Sequence, residues 1–367
     1  MKDAFFICTI FWFNMKDYII VGLGLSGLAV AEELEKRNLK FVVYEDGSQQ
    51  SSIVAGGIFN PIILKRFTPA WNAPEQLSTA IPFYEKLEQK LGSNFINYWN
   101  IYRRFHSIEE QNNWFAATDN RRLAPFLSHQ LVKNDNPHVS ANHSFGKVLH
   151  TGNIDTKELL ISYRSYLKSK KALINERFNY TALKVHAGYL EYGEVQARKI
   201  IFCEGFGLKN NPYFNYLPMQ GNKGEYLIIR APKLKSKIAI KSSIFLMPLG
   251  KDLYKVGATY NPKDKTAAPT QQARQKLENQ LKELINCDFE VVDQLSGIRP
   301  SMVDRRPIAG THPEFPQLLC CNGFGSHGVL IAPNLAKQLV AHAEENAKID
   351  PEADLKRFTS KYYNPAS

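Results

Sequence analysis

A glycine-rich turn near the start of the chain, placed between a strand and a helix, constrains the fold more than any other feature. The residues Tyr18–Val21 form a short apolar run typical of a strand, and Leu25–Arg37 carries apolar residues at helical spacing. Between them, Gly22, Gly24 and Gly27 complete the pattern G-x-G-x-x-G. The first glycine permits a tight turn, the second lets a pyrophosphate approach the backbone, and the third lets the helix pack against the sheet. The chain is therefore predicted to open with a βαβ unit that binds a dinucleotide.

An acidic residue at the end of the next strand supports this prediction. Glu45 follows the apolar run Phe41–Tyr44 and stands 18 residues after Gly27, where a carboxylate can accept hydrogen bonds from both ribose hydroxyls. The start of the helix supplies amide donors and a positive dipole to the phosphates. The predicted cofactor-binding residues of this unit are Gly22, Gly24, Leu25, Ser26, Gly27, Glu45 and Asp46.

Length and composition indicate a folded protein with room for about two domains. The 367 residues are 44% apolar and 12% aromatic, which excludes a disordered or fibrous chain. Lysine and arginine number 46 against 35 aspartates and glutamates, a formal charge of +11. Such a surplus fits an acidic substrate, an anionic cofactor or nucleic acid, and it equally fits a generally basic surface.

The cysteines indicate the redox compartment, and the first residues are the candidate targeting segment. The five cysteines show neither a C-x-x-C pair nor zinc-site spacing, so we expect no disulfide framework, no metal and a reducing, cytoplasmic setting. The apolar run at 5–13 is too short to span a bilayer and no cleavage site follows it, so neither a membrane span nor a signal peptide is predicted. Because Met15 stands directly before the first strand, we interpret residues 1–14 as a mis-called translation start, with a short membrane-associating tail as the alternative.

The rest of the chain alternates between helices and a strand-rich middle. Apolar spacing predicts helices over 75–91, 155–169, 271–285 and about 328–345, and Pro82 is expected to kink or restart the first of them. Short strands with turn residues predominate between about 174 and 260. No repeat or linker divides the chain, so two domains would have to exchange segments.

FAD and NAD share the G-x-G-x-x-G fingerprint, and three distant segments of the chain decide between them. They are the small-residue stretch at 51–61, the stretch Gly297–Gly310 and the glycine-rich loop Asn322–Pro333. With the first fingerprint, the strand Lys199–Cys203 before Gly205, and Val256–Thr259, they form an ordered set. In this order and spacing, from Met15 to about Ala341, the chain resembles the D-amino-acid oxidase superfamily, in particular its glycine oxidase and sarcosine oxidase branch.

The resemblance implies an α/β fold with a Rossmann-like FAD-binding domain and a second, mostly antiparallel-sheet substrate domain, the flavin ring lying at their junction. The implied FAD-binding domain is discontinuous and takes residues 15–75, 145–215 and 290–345. The substrate domain takes 76–144 and 216–289, and 346–367 form a C-terminal tail. FAD is expected to be held non-covalently, because no cysteine stands near Ser301–Val303, where monomeric sarcosine oxidases attach their flavin.

The matching segments add further cofactor-binding residues. These are Ala55, Gly56, Gly57, Gly205, Gly325, Ser326, His327, Gly328, Val329 and Leu330. The amides at 328–330 begin a helix and are expected to stabilise negative charge on the flavin. His327 is expected either to contact the ring or to shape the loop.

The sequence departs from the family pattern at three places. Phe245 stands where glycine oxidases carry a substrate-site tyrosine, and Ser326 stands where they carry a second arginine. Both changes argue against glycine as the substrate. Cys203 and Glu204 replace the usual alanines before Gly205, so the local FAD contact is expected to differ.

Two residues are candidates for the chemistry itself. Hydride transfer requires the substrate Cα–H to lie over flavin N5, which is chiefly a problem of positioning. Arg299, between Gly297 and Pro300, has the two-pronged donor that suits an α-carboxylate, with a surface ion pair as its alternative role. Tyr260 either faces the substrate or is an ordinary half-buried sheet tyrosine.

The predicted activity is the oxidation of the C–N bond of a small amine or amino acid. The imine product hydrolyses, and molecular oxygen or another acceptor reoxidises the flavin. One alternative is a tRNA wobble-uridine modification oxidase, with which the charge and the pairs Arg103–Arg104 and Arg121–Arg122 are compatible. The other is a flavin-bound binding protein without catalysis.

Overall fold

The computed structural model describes residues 15–364, so the interpretation of residues 1–14 falls outside the described part of the chain. An eight-stranded sheet, here called the first sheet, forms one half of the molecule. Its five parallel strands are, in spatial order, Leu173–Ile174, Phe41–Tyr44, Lys16–Val21, Val195–Phe202 and Leu318–Asn322. Three antiparallel strands extend it: Leu183–His186, Tyr189–Tyr192 and Ile308–Thr311. Most residues of Phe41–Tyr44, Lys16–Val21 and Leu318–Asn322 are buried, as expected for parallel strands covered on both faces.

A second eight-stranded sheet forms the other half. Its order is Glu290–Met302, Met219–Arg230, Leu253–Gly257, Phe245–Gly250, Ala239–Lys241, Ile101–Arg104, Phe145–Val148 and Leu127–Val132. Every neighbouring pair is antiparallel except Ala239–Lys241 with Ile101–Arg104. Two small sheets complete the set, one of Ile58–Phe59, Gly152–Ile154 and Ile96–Tyr98, the other of Ile62–Ile63 and Thr68–Pro69. The mixed α/β architecture with a mostly antiparallel second sheet is as predicted.

Helices pack on both sheets. They are Leu25–Lys36, Ser51–Val54, Ala73–Leu91, Ile108–Thr118, Thr156–Ser169, Gln271–Lys282, Gly328–Glu345 and Lys356–Tyr362, with short 3-10 turns at Ala124–Phe126, Tyr180–Ala182 and Gly205–Asn210. The first helix packs against Gly328–Glu345, which also contacts Ala73–Leu91. The Asp155 side chain accepts hydrogen bonds from the amides of Lys157 and Glu158, which fixes the predicted start of the helix Thr156–Ser169.

Pro82 is expected to kink or restart its helix, and the structure excludes the restart. Ala73–Leu91 is one continuous helix that contains Pro82, so the predicted restart does not occur. A proline removes one backbone hydrogen bond, but packing of an apolar face stabilises a long helix more than any single bond does. Here Ala80, Tyr84 and Leu87 supply that face and are almost fully buried.

Two strands that the prediction assigns to the FAD-binding domain pair within the second sheet. The strand Glu290–Met302 pairs along its whole length with Met219–Arg230, and Phe145–Val148 pairs with Ile101–Arg104. Both strands therefore lie in the second sheet, although the boundaries at 290 and 145 gave them to the FAD-binding domain. Ladder hydrogen bonds between distant strands decide this, and local sequence does not encode them. The predicted division of the chain into an FAD-binding domain and a substrate domain remains a prediction.

The C-terminal residues and two cysteines pack in the core of the first sheet. The predicted tail contains the helix Lys356–Tyr362, and Leu355 before it is fully buried in the core of the first sheet. Cys320 and Cys321 are fully buried on the strand Leu318–Asn322, which fits a packing role. Between Met15 and Asn364, no helix has both the length and the apolar character needed to cross a membrane.

Candidate active site

A cavity of about 1340 Å³ runs from the glycine-rich turn to the inner face of the second sheet. It brings together all but two of the predicted site residues. Those that line it are Gly22, Gly24, Leu25, Ser26, Glu45, Asp46, Ala55, Gly56, Gly57, Gly205, Tyr260, Arg299, Gly325, Ser326, His327, Gly328 and Val329. Gly27 and Leu330 are absent from its wall as described. Segments more than 300 residues apart in sequence thus meet around one space.

The glycine turn is built so that side chains are excluded from it. Gly22 has φ +94°, and a Cβ there would lie 2.6 Å from the carbonyl oxygen of Cys203. A Cβ on Gly27 would lie 2.0 Å from the oxygen of Gly22, which explains why Gly27 sits behind the wall and packs the turn. A Cβ on Gly24 would approach Ser52 Oγ to 2.9 Å. The glycines of the turn therefore present backbone to a ligand at the start of the helix Leu25–Lys36.

Glu45 is oriented by neighbours on three sides. One carboxylate oxygen accepts from Gly47 N at 2.8 Å and from Arg164 Nη2 at 3.2 Å, and the other accepts from Leu23 N. A carboxylate has about four lone-pair sites, so one remains for a ribose hydroxyl. Asp46 beside it is exposed and accepts from Ser48 N at 2.9 Å. Arg164, which sequence reasoning missed, lies on a helix 119 residues away and could not be linked to Glu45 by any local pattern.

The segment 55–57 forms the middle of the cavity wall, and contacts with neighbouring strands fix its backbone. Gly57 has φ +63°, and a Cβ there would lie 1.8 Å from Ile154 O. The buried ammonium of Lys255 donates to Val54 O at 2.9 Å and to Ala55 O at 2.6 Å. Burial lowers the pKa of Lys255 to about 8. Lys255 is a second residue that sequence reasoning missed; its signal was a lysine within the apolar strand Leu253–Gly257.

The loop before the last long helix closes the opposite wall. Gly325 has φ +57° and its amide donates to Pro300 O at 2.8 Å, which ties this loop to the end of the strand that carries Arg299. His327 lines the cavity, its Nδ1 lies 3.2 Å from Ser326 Oγ, and burial lowers the pKa of its ring, which favours the neutral imidazole. Leu330 is fully buried and its amide donates to His327 O at 3.0 Å, so that amide is already engaged within the helix turn.

The wall near Gly205 contains an unusual acid. Glu204 is buried, accepts from Asn211 Nδ2 at 2.8 Å and from the hydroxyl of Tyr180, and lines the cavity. Burial raises its pKa to about 7, with a smaller contribution from Asp46 in the same direction. Asn322 Nδ2 donates to Gly205 O at 2.9 Å and so fixes the turn that follows.

Arg299 lies on the inner face of the second sheet, at the far end of the cavity. Its guanidinium covers Gly224 of the neighbouring strand so closely that a Cβ on Gly224 would lie 2.0 Å from Nη2. Its Nη1 donates to Thr259 O at 3.4 Å. Across residues 15–364, it forms no ion pair with any carboxylate, so the surface ion pair considered as its alternative role is not observed. The site therefore offers a guanidinium without an acidic partner.

The neighbours of Arg299 complete this end of the cavity. Asn222 stands directly opposite Arg299 in the strand ladder, is buried, and its Oδ1 has no hydrogen-bond partner within the described chain. Tyr260 is 66% exposed and lies at the rim, so it is not the half-buried sheet tyrosine of the alternative interpretation. Asn222 was missed because its place depends on the pairing of two strands about 75 residues apart.

Comparison with known proteins agrees with this geometry. A family model described as FAD dependent oxidoreductase (DAO) matches residues 17–342. The chain is 23% identical to the glycine oxidase of Bacillus subtilis (strain 168) over 363 residues, covering 89% of this chain and 94% of that protein. It is 22% identical over 322 residues to the tRNA 5-methylaminomethyl-2-thiouridine biosynthesis bifunctional protein MnmC of Campylobacter jejuni subsp. doylei, covering 84% of this chain and 48% of that protein. The crystal structure of glycine oxidase from Geobacillus kaustophilus superposes with a TM-score of 0.76 at 19% identity and covers 92% of this chain and 96% of that one.

Proposed function

The chain belongs to the DAO family of FAD-dependent oxidoreductases, and on that premise we propose that it oxidises the C–N bond of a small amine or amino acid whose carboxylate binds Arg299. This proposal rests on the surroundings of the Arg299 guanidinium. A half-buried guanidinium that faces the cofactor cavity and lacks a carboxylate partner within the described chain is suited to bind an anion, and its planar fork matches a carboxylate.

The residues present fit FAD. The turn at 22–27 excludes side chains where a pyrophosphate would contact the backbone, and Glu45 keeps an acceptor site for a ribose hydroxyl. The cavity continues without interruption from this turn to Arg299. When bound, FAD would accept the hydride from the substrate Cα, and with it both electrons of the oxidation. We propose non-covalent binding, because no cysteine lines the wall near Ser301–Val303 in the part of the chain that the structure describes.

The chain's own residues account for positioning. Arg299 fixes the carboxylate end of the substrate, and the unpartnered Oδ1 of Asn222 beside it is an acceptor for a substrate N–H. The helix Gly328–Glu345 begins at the opposite wall, where its positive end favours negative charge. Substrate held between these groups has its Cα directed into the cavity, which is the main requirement of this chemistry.

Two residues favour a substrate other than glycine. Phe245 lines the cavity and offers no hydroxyl, and Ser326 is exposed and offers no charge. Without these polar partners, the cavity wall beyond Arg299 accepts a side chain or an N-substituent better than it binds a bare glycine.

Anaerobic reduction of the flavin tests the proposal. The purified protein should be yellow and should release FAD on denaturation. A panel of amino acids of both configurations, N-methyl amino acids and amines without a carboxylate is mixed with the protein under anaerobic conditions. At least one carboxylate-bearing amine should bleach the flavin, and its carboxylate-free counterpart should be much slower. If no member of the panel bleaches the flavin, the proposal is wrong.

A tRNA substrate is a second candidate, favoured by the similarity to the bifunctional tRNA-modifying protein. The exposed pair Arg121–Arg122 is compatible with phosphate contacts. Arg103 is not, because it pairs with Glu110 at 3.2 Å and donates to Ser242 O at 3.1 Å. A gel-shift titration over salt discriminates: specific tRNA binding should weaken steeply with salt, whereas oxidation of a small amine should change little.

A further inference from the structure

Acidic and basic side chains are distributed unevenly along the cavity. Its acidic lining residues, as far as the chain is described, are Glu45, Asp46, Glu176, Glu204 and Asp304. Four of them lie with the glycine turn and its neighbours, and Asp304 pairs with Arg357 at 2.8 Å. The end formed by the second sheet and the turn between Ile62–Ile63 and Thr68–Pro69 carries Arg299, Lys241, Lys65 and Arg66. This end therefore has an excess of cations beyond the one that the proposed carboxylate contact uses.

Lys241 is the central cation of that excess. It ends the strand Ala239–Lys241 and lies opposite Phe245, so both side chains project from the cavity face of the sheet. Its ammonium lies 4.9 Å from the Phe245 ring centroid and donates to Ser243 O at 3.2 Å. No Asp or Glu oxygen in the described range lies within ion-pair distance of it. The ammonium thus retains donors that protein groups do not satisfy.

The charged neighbours of Lys241 repel it. Burial, with smaller contributions from Arg103 and Lys65, lowers the pKa of Lys241 to about 8. Arg103 is already paired with Glu110, whereas Lys65 is exposed on the cavity rim. A second anion at this point would relieve the repulsion and satisfy both lysines, and the pKa still leaves Lys241 mostly charged at neutral pH.

The strand ladder fixes the separation of the two cationic points. Lys241 lies opposite Phe245, Phe245 opposite Gly257, and Gly257 opposite Tyr226, while the Arg299 guanidinium covers Gly224, two residues from Tyr226. With neighbouring strands ~4.8 Å apart and ~3.4 Å per residue, Gly224 lies roughly 16 Å from Lys241 and roughly 12 Å from Phe245. Because the Lys241 ammonium lies over the Phe245 ring, the guanidinium and the ammonium are roughly 12 Å apart. Allowing about 2.8 Å for each charged contact leaves roughly 6 Å between two bound carboxylates.

We propose that Lys241, with Lys65 beside it, forms a second anion-binding subsite, so that the preferred substrates are amino acids or N-substituted amino acids with a second carboxylate. This inference rests on the proposed amine oxidation and specifies its substrate class. The first carboxylate binds Arg299, the amine-bearing carbon lies between the two cations, and the second carboxylate reaches over Phe245 to Lys241. The separation fits the chain lengths of glutamate and 2-aminoadipate.

Matched substrates and variants test the subsite. Flavin bleaching is compared for glutamate and glutamine, and for 2-aminoadipate and 2-aminohexanoate, each in both configurations. In the parent, kcat/KM for the better diacid should exceed that of its uncharged partner by roughly ten- to a hundredfold. Lys241→Met should bring this ratio close to one with little change for the uncharged substrate, and Lys241→Arg should retain the preference. Lys237→Met is the matched control, since Lys237 is exposed and absent from the cavity wall, and it should behave as the parent.

The outcomes separate this inference from the proposed function. If monocarboxylate amines bleach the flavin and the diacids show no preference, or if Lys241→Met slows both members of a pair equally, the subsite is wrong and amine oxidation stands. A faster reaction of O-phosphoserine than of any diacid would overturn the assignment to a carboxylate. If no amine reacts, the amine proposal fails, and the subsite is still decided by flavin difference spectra: glutarate should bind more tightly than butanoate in the parent and equally in Lys241→Met.

Discussion

The two ends of the cavity differ in what builds them. At the dinucleotide end, glycine backbone forms part of the wall: a Cβ on Gly22 would lie 2.6 Å from Cys203 O, and Glu45 accepts from the amides of Gly47 and Leu23. At the sheet end, side chains line it: Arg299, Asn222 and Lys241 come from three strands that only the ladder brings together. The difference teaches that a cofactor shared by a family is bound by local backbone geometry, whereas the substrate is chosen by long-range register.

The largest expected effect concerns the glycine turn. Gly22→Ala places a Cβ 2.6 Å from Cys203 O at φ +94°, whereas Gly188→Ala has nearly the same φ, +91°, and no atom within 4 Å. Positive φ alone costs about 1–2 kcal/mol, and overpacking adds about 1–3 kcal/mol. Urea unfolding should therefore show a clearly larger loss of unfolding free energy for Gly22→Ala, together with loss of FAD, while Gly188→Ala keeps its FAD. Equal losses of unfolding free energy in the two variants would mean that the close approach to Cys203 does not contribute to the effect.

The next effect concerns the opposite end. Arg299→Lys keeps a positive charge and loses the paired donors, so transition-state binding of the best carboxylate substrate should weaken by about 2–5 kcal/mol and its kcat/KM should fall by roughly thirtyfold to several thousandfold. The FAD content should not change, because Arg299 lies at the opposite end of the cavity from the glycine turn. Unchanged steady-state kinetics in this variant would make Arg299 structural and would favour a neutral amine as substrate.

A third prediction is a pH dependence at the dinucleotide end. The folded-state pKa of Glu204, about 7, lies above the ordinary value of 4.5, so the folded protein binds a proton that the unfolded chain has released between these pH values. The stability that this group contributes is complete below pH 4.5 and falls by up to about 3 kcal/mol as pH rises through 7. Glu204→Gln should flatten this part of a stability profile measured by urea unfolding with FAD in excess. Glu194→Gln, in an exposed turn, should leave the profile as in the parent; a slope retained in Glu204→Gln would assign it to another group.

The smallest effect is expected at the ribose acid. Glu45→Gln leaves one acceptor oxygen where the carboxylate serves Gly47, Arg164 and Leu23, and it weakens the acceptor offered to a ribose hydroxyl. FAD should bind roughly tenfold more weakly, as measured by fluorescence titration of the apoprotein. Full affinity in the variant would show that the glycine turn alone holds the dinucleotide.

The same contrast explains which parts the sequence could predict. The glycines at 22–27, Glu45 and the helix cap at Asp155 could be predicted, because each belongs to a sequence pattern that indicates its structural role. The membership of Glu290–Met302 in the second sheet, the pairing of Arg164 with Glu45 and the place of Lys241 beside Arg103 depend on contacts between residues at least 60 positions apart. Periodicity carries no information on such pairing, so these positions needed the structure. Arg299 was found from sequence only because its family resemblance spans the chain.

The central claim is that the FAD end and the anion-binding end belong to one site, and a ligand that cannot react tests it most directly. The holoprotein is titrated with propanoate, which has a carboxylate and no amine, while the flavin absorbance is recorded. We expect a saturable difference spectrum in the parent that is lost in Arg299→Met although FAD remains bound. A parent flavin that does not respond to propanoate, or a response of equal affinity in Arg299→Met, would contradict the account.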